Sequence, residues 1–558
     1  MTSQPGSKPA LYSLKITMWF FWNAYFLILL FGSCSNWLEV NGMSVKRKGK
    51  AELQHFGHLN DQGKQSTPLE QDEITQRKID LIKRSVERNP LDIWFFKDRF
   101  RSEQDQLTFS LFWNSSIVSR GQTTRSLKNV IRRSLQGENI DTVIMGGSIS
   151  AGGGLNYDRE DLRGVYYRVF ADWWQKAIQP LTGSSIKLHN LAVGGTGSNF
   201  FAFCYRTLLN PGTDIDLAFL DFTVNDYLQF SGSKFPTALP LEQLIREVLS
   251  EKKSPPIFFI DFVRGVSKSP TCNNLENHGQ TVLAQNYGIT SITLRKFFCL
   301  NPSNGKNYPR MFASDGNHPS ILSHAQVALL IINYVRKTIL EVIDTIAISK
   351  QKSIVFNNFS TSLGDLPKPV FRKNLREFLD KPRCFTQILP DATKNSSLHQ
   401  TLQVREIGNF GFQVLPKTFI NQPGQVNPVM TLNDGFQKFR TDGYRGWKAN
   451  SMGSLLELEI FLPLVKLSPM DKRFMIMEEP TRSVAIAVRT HNNGANARVW
   501  IDEFEENGVL INTSSMYGHT KLHTIVQHAT QGRHVLSVRT TTAGVFTLVG
   551  VMIGPVYK

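Results

Sequence analysis

Ser148, Gly195, Asn225, Asp315 and His318 are the residues whose types and order could do chemistry. Ser148 stands in the stretch Asp141 to Gly154, DTVIMGGSISAGGG, and Gly195 in Gly194-Gly195-Thr196-Gly197. Asn225 stands in Thr223-Val224-Asn225-Asp226, and the last two in Asp315-Gly316-Asn317-His318-Pro319. A serine hydroxyl is a weak nucleophile until a histidine takes its proton, and a carboxylate on the far ring nitrogen fixes the tautomer that does so. A backbone-exposing glycine and a side-chain amide supply donors for an oxyanion. The set points to acyl transfer. Each stretch also has a plainer reading. Gly146-Gly147-Ser148 suits a strand-to-helix turn, and Gly195 a turn. Asp315-Gly316-Asn317 suits a tight turn with His318 capping the next helix, and Asn225-Asp226 suits a helix N-cap pair. Ser150 is a rival nucleophile further into the same turn. His189, His278 and His324 lack such company and are read as structural.

Residues that act together must be held together. From Ile140 to about Ile348 strand and helix patterns alternate. The strand candidates are Thr142–Met145, Ile186–Val193, Ile215–Phe222, Ile257–Val263 and Ile289–Leu294. Between them lie amphipathic stretches at Val165–Ile178, Leu241–Leu249 and Leu275–Tyr287, and a long last helix starts near Ile321. Such alternation predicts an α/β fold, a parallel sheet with helices on both faces. The polar stretches fall at the carboxyl ends of these strands or just before the last helix, the edge where open α/β sheets place their chemistry. Any one of the plainer readings stands alone; four at one edge do not.

This arrangement resembles the SGNH (GDSL-type) hydrolase superfamily, whose blocks carry Ser, Gly, Asn and His in this order. The resemblance covers roughly the central two hundred residues and rests on linked motifs rather than one. It implies a three-layer α/β/α, flavodoxin-like domain with Ser148 as nucleophile, His318 as base and Asp315 as its orienter. It also implies an oxyanion hole from the N–H groups of Ser148 and Gly195 and the amide of Asn225, with no metal and no cofactor. Two positions depart from the pattern. The usual Gly-Asp-Ser reads Gly146-Gly147-Ser148, and the usual glycine two places before the asparagine is Thr223. The implied function is a serine esterase acting on acyl esters, O-acetyl esters of a glycan foremost. A lipase-like esterase or an O-acyltransferase is the alternative among enzymes. A catalytically silent glycan-binding surface protein is the alternative from another class, raised by Gly147 and Thr223.

The chain of 558 residues is long enough for two or three domains. Its net charge of +17, from 63 Lys and Arg against 46 Asp and Glu, admits an anionic partner such as an acidic glycan, a membrane surface or nucleic acid, but is read first as solubility and general surface charge. The bases are spread out and no nucleic-acid motif is present, so no nucleic-acid partner is expected. Ile16 to Phe31 is an apolar run, read as a signal peptide or a membrane-spanning signal anchor within residues 1–40. Either sends the chain into the secretory pathway, to be secreted or held at the Golgi or cell surface. Four sequons agree, at Asn114, Asn358, Asn395 and Asn512. Beyond that run stand Cys204, Cys272, Cys299 and Cys384, whose pairing the sequence leaves open. Without a Cys-x-x-Cys pair no zinc site is expected.

Residues 41–72 read as a flexible stem and 73–139 as a helical extension, with helical patterns at Glu73–Phe100 and Thr124–Leu135. The hydrolase-like domain takes 140–348 and a connector 349–383. From 384 to 558 the period changes to two, predicting an all-β, jelly-roll-like sandwich. Its strands are expected at Leu455–Phe461, Ser483–Arg489, Arg498–Glu503, Val509–Asn512, Val535–Arg539 and Phe546–Met552. The pattern is loosely similar to jelly-roll ancillary domains of carbohydrate esterases, and leaves open whether this one binds glycan or only packs.

Overall fold

The structure, a computed structural model, describes residues 68–88, 116–155, 163–209, 212–230, 238–266, 269–270, 272, 279–300, 309–351, 366–371, 382–386, 388, 428–441, 444–464 and 481–554. The apolar run at 16–31, His278 and the sequons at Asn114, Asn358 and Asn395 lie outside them. Among the described residues no helix is long and apolar enough to cross a membrane.

The first element is helix α1, Pro68–Glu87; strand β1, Ile117–Val118, helix α2, Gly121–Leu135, and strand β2, Ile140–Gly146, follow. Then come the one-turn α3, Ser148–Ala151, α4, Tyr166–Ala177, the short α5, Gln179–Thr182, β3, Ile186–Asn190, and α6, Ser198–Leu208. The chain continues through β4, Leu217–Asp221, α7, Thr223–Phe230, α8, Leu239–Leu249, and β5, Ile257–Asp261. A small ribbon, β6 Gly265–Val266 with β7 Ser269–Pro270, leads to α9, Gln280–Asn286, β8, Thr290–Thr293, α10, Arg295–Leu300, and the long α11, Ile321–Gln351.

The sheet order is β1-β8-β5-β4-β2-β3, with every pair parallel except the edge pair β1 and β8. The five parallel strands thus have the flavodoxin-like order, with the reversal of direction beside β2. The expected alternation is visible in the packing. Ile144, Phe219, Phe258 and Ile292 face α1, α2, α4 and α11. Val143, Met145, Ala218, Leu220 and Phe259 face α6, α8 and α9. The segment at 116–135, read within the helical extension, supplies an edge strand of this sheet and a helix packed on it.

The second half is the expected sandwich. Its strands are β9, Arg383–Thr386, β10, Val429–Asp434, β11, Gln437–Thr441, β12, Tyr444–Ala449, β13, Leu455–Leu462, and β14, Arg482–Arg489. They are followed by β15, Asn496–Ile501, β16, Val509–Asn512, β17, Thr520–Ala529, β18, Gly532–Thr540, and β19, Phe546–Gly554. One sheet has the order β10-β13-β18-β15-β16; the other runs β11-β12-β19-β14-β17, with β9 also paired to β19. β13 alternates as its sequence predicts. β14 and β19 do not, being buried throughout but for Arg489. Val484, Ile486 and Val488 fill the sandwich core, while Ala485 and Ala487 turn the other way into the hydrolase-like domain. Small residues there let the sheet approach α6 closely, so one apolar cluster runs through both halves. Two disulfides form, Cys204–Cys384 and Cys272–Cys299, and the first joins α6 to β9.

Candidate active site

β2 is buried except at Asp141 and delivers Ser148, half-buried, onto the single turn α3. Its imidazole partner comes from the turn before α11. His318 Nε2 lies 2.9 Å from Ser148 Oγ, and His318 Nδ1 lies 2.6 Å from Asp315 Oδ2. The other carboxylate oxygen, Asp315 Oδ1, accepts the backbone N–H groups of Asn317 at 2.9 Å and His318 at 3.0 Å. Partial burial works against an ionised Asp315, but those two N–H groups and the imidazole outweigh it and hold the carboxyl below its ordinary value. An ionised partner on Nδ1 places the ring proton there and leaves Nε2 to accept from the serine. The plainer reading of Asp315-Gly316-Asn317 as a turn holds as well: the turn is what aims the carboxylate.

Gly147, where the pattern has aspartate, has a steric reason. A Cβ built on it would stand 2.0 Å from Asn225 Oδ1, so the Asn225 amide occupies the space a side chain would need. Asn225 itself is buried on the first turn of α7. The second departure, Thr223, donates to Asp261 Oδ1 at 2.7 Å, and Gln280 Nε2 donates to the same oxygen at 2.6 Å. Gly195 has φ +66°, a conformation that favours glycine. A Cβ there would meet the Gly518 carbonyl at 2.5 Å, so the sandwich presses directly on this loop.

Ser150, the rival nucleophile, is fully buried and points away from the cleft. Its Oγ donates to Asp221 Oδ2 at 2.7 Å and lies 3.1 Å from the Tyr166 hydroxyl. Burial pushes Asp221 up to about 7, and it does the same to Asp226, which accepts the Ser198 N–H at 2.7 Å. His189 pairs with Asp141 at 2.8 Å. His324 is buried against Tyr166 and Phe262, and that burial pushes it down to about 3. Both histidines are structural, as read. No cluster suited to a metal ion occurs among the described residues.

A cavity of about 570 Å³ opens over Ser148, His318, Gly195 and Asn225. Part of its wall was not foreseen: Arg264 comes from the loop after β5, and Arg489, Tyr517, Gly518 and His519 come from the sandwich. The sandwich also fastens the glycine loop. Thr520 N–H donates to the Gly195 carbonyl at 2.9 Å, and Arg489 Nη1 donates to the Gly194 carbonyl at 3.1 Å.

No known family's sequence profile matches the chain, and no curated protein matches it in sequence. Solved structures do. A two-domain esterase active on acetylated mannans, crystallised with mannopentaose, aligns at TM-score 0.53 and 20% identity over 80% of this chain and 98% of its own. A second structure of a two-domain esterase active on acetylated mannans aligns at TM-score 0.52 and 18% identity over 80% of this chain and 99% of its own. An acetylxylan esterase from Geobacillus stearothermophilus covers 36% of this chain and 96% of its own, at 18% identity and TM-score 0.28. Over 80% of its length the chain therefore shares the fold of these two-domain structures, and its α/β domain is the one that the resemblance to SGNH hydrolases implied.

Proposed function

We propose that this chain is a serine esterase that hydrolyses O-acyl, foremost O-acetyl, esters on a glycan. The observation that carries the reading is the unbroken line Asp315–His318–Ser148 at the floor of an open cavity. Ser148 Oγ attacks the ester carbonyl while His318 Nε2 takes its proton. The oxyanion of the tetrahedral intermediate is held by the N–H groups of Ser148 and Gly195 and the Asn225 amide. Collapse expels the alcohol, which takes the proton back from His318 and leaves an acyl-serine. Water, deprotonated by the same imidazole, then releases the acid and restores Ser148. The likeness to a two-domain esterase acting on acetylated mannans supports a sugar ester as substrate. The cavity's size suits a sugar ring with its acyl group.

A fluorophosphonate probe tests the reading. Labelling of Ser148, found by peptide mass spectrometry and absent in Ser148→Ala, is expected. Folded protein that no probe labels would instead support the silent glycan-binding alternative. We also propose passage through the secretory pathway, supported by the apolar run at 16–31, two disulfides and four sequons, of which Asn512 is exposed at the end of β16. A glycosidase that leaves the mobility of the cell-made protein unchanged would count against it.

A further inference from the structure

We infer that the glycan is anionic: the cleft takes O-acyl esters on carboxylate-bearing sugars, through a subsite formed by Arg264, Arg489 and Tyr517 beside Ser148. The inference rests on the esterase reading and names its substrate class. The cavity lining contains two guanidinium groups, Arg264 and Arg489, the latter donating through Nη1 to the Gly194 carbonyl and the Thr520 hydroxyl, and one carboxylate, Asp315, which is engaged by His318 and its own turn. The two arginines come from different halves of the molecule and line one opening. Arg264 Cζ lies 5.5 Å from the centroid of the Tyr517 ring. Tyr517 is 52% exposed with the Arg264 guanidinium over its ring, so aromatic surface and cation are presented together at the opening.

The surrounding charges point the same way. Asp221 and Asp226 lie beneath the nucleophile turn and α7, where burial favours their neutral forms and weakens any opposing field. His519, edge-on to Tyr517 at 5.9 Å, is pushed down to about 4 by burial and then by Arg489, Lys521 and Arg264. A guanidinium binds a carboxylate through two parallel hydrogen bonds, a geometry that an ammonium or a neutral amide lacks.

The test compares the full chain on O-acetylated pectin, an O-acetylated sialoglycoprotein and O-acetylated glucomannan at matched ester concentration. At low salt, kcat/KM on at least one acidic substrate is expected to exceed that on glucomannan by about tenfold or more, and the preference should shrink as salt is added. Which acidic substrate responds tells a uronate from a sialate. Arg264→Gln should cut the acidic-to-neutral ratio about tenfold, and Arg264→Lys should restore only part of it. A ratio near one, or a preference that ignores both salt and Arg264, overturns the inference. If 4-nitrophenyl acetate is still hydrolysed by the wild-type chain in that case, the esterase reading survives alone. If no ester is hydrolysed, yet Ser148→Ala protein binds polygalacturonate in a salt-sensitive, Arg264-dependent way, the subsite stands and the esterase reading falls.

Discussion

Two serines two positions apart have opposite fates, and the difference lies in what surrounds each hydroxyl. Ser148 Oγ faces an imidazole at the cavity floor, whereas Ser150 Oγ is spent on Asp221 beneath it. Ser148→Ala is therefore expected to abolish turnover, and His318→Ala to cost nearly as much. The double variant should be scarcely slower than either, because the pair acts as a unit. Asn225→Ala should be milder, about 10²–10³ in kcat if the amide is one oxyanion donor. Ser150→Ala should still label with the probe, and should lower stability by about 1–3 kcal/mol by leaving a buried acceptor without its donor. A Ser150→Ala protein that folds but is dead to the probe would reverse this assignment. Asp221 adds a pH dependence. Its folded value of about 7 lies above the ordinary carboxylate range, so the folded state holds a proton that the unfolded state has released. The share of stability that Asp221 contributes should therefore fall as pH rises from about 4 to about 7 and level off above that, while Asp226 acts in the same direction and the buried neutral His324 and His519 in the opposite one. The difference in denaturant midpoint between the wild-type chain and Asp221→Asn isolates that share: it should shift against the wild type as pH rises across the window, and a difference that does not change with pH would overturn the assignment.

At the scale of elements, the strand ends were legible and the second wall of the cleft was not. Ser148, Asn225 and the Asp315–His318 turn could be read because each follows an apolar run whose period announces a strand, or precedes one that announces a helix. The helix α6, Ser198–Leu208, went unread because nine of its eleven residues are buried and no polar stripe marks its period. Arg489, Tyr517 and His519 went unread for another reason: Arg489 reaches Gly194 across 295 residues of sequence, and nothing local to either predicts that. The available signal was in β14, where Ser483-Val-Ala-Ile-Ala-Val is apolar in both phases, the mark of a strand covered on two faces. The glycine loop also answers a question the sequence raised. Gly147→Asp would bring the chain back to the family pattern, yet its Cβ would collide with the Asn225 amide. Its kcat/KM on a small acetyl ester is expected to fall at least as far as that of Asn225→Ala. An unchanged rate would mean that Asn225 gives way freely and has no fixed role as a donor.

At the scale of the molecule, the hydrolase-like domain and the sandwich share one interior, and that decides how the chain should unfold. Phe200, Cys204 and Leu208 of α6 pack in the same apolar cluster as Cys384 of β9, Ala485 and Ala487 of β14, and Met552 of β19. α6 begins at Ser198, just past Gly195, whose carbonyl accepts the Thr520 N–H. Peeling the sandwich away would therefore bare apolar surface on α6 and release the loop that presents Gly195. Calorimetry is expected to show one transition, with amides of β2 and β4 exchanging at the same free energy as those of β13 and β18. The Cys204–Cys384 bond closes a separation of 180 residues across this boundary, so Cys384→Ser should cost about 2–5 kcal/mol, chiefly by freeing the unfolded chain. The variant should still unfold in one step at a lower temperature, because the shared core remains. Two separate transitions, with the sandwich melting first while Ser148 stays reactive to the probe, would show that the sandwich is an independent module and that the contacts at Gly194 and Gly195 are not needed for the chemistry.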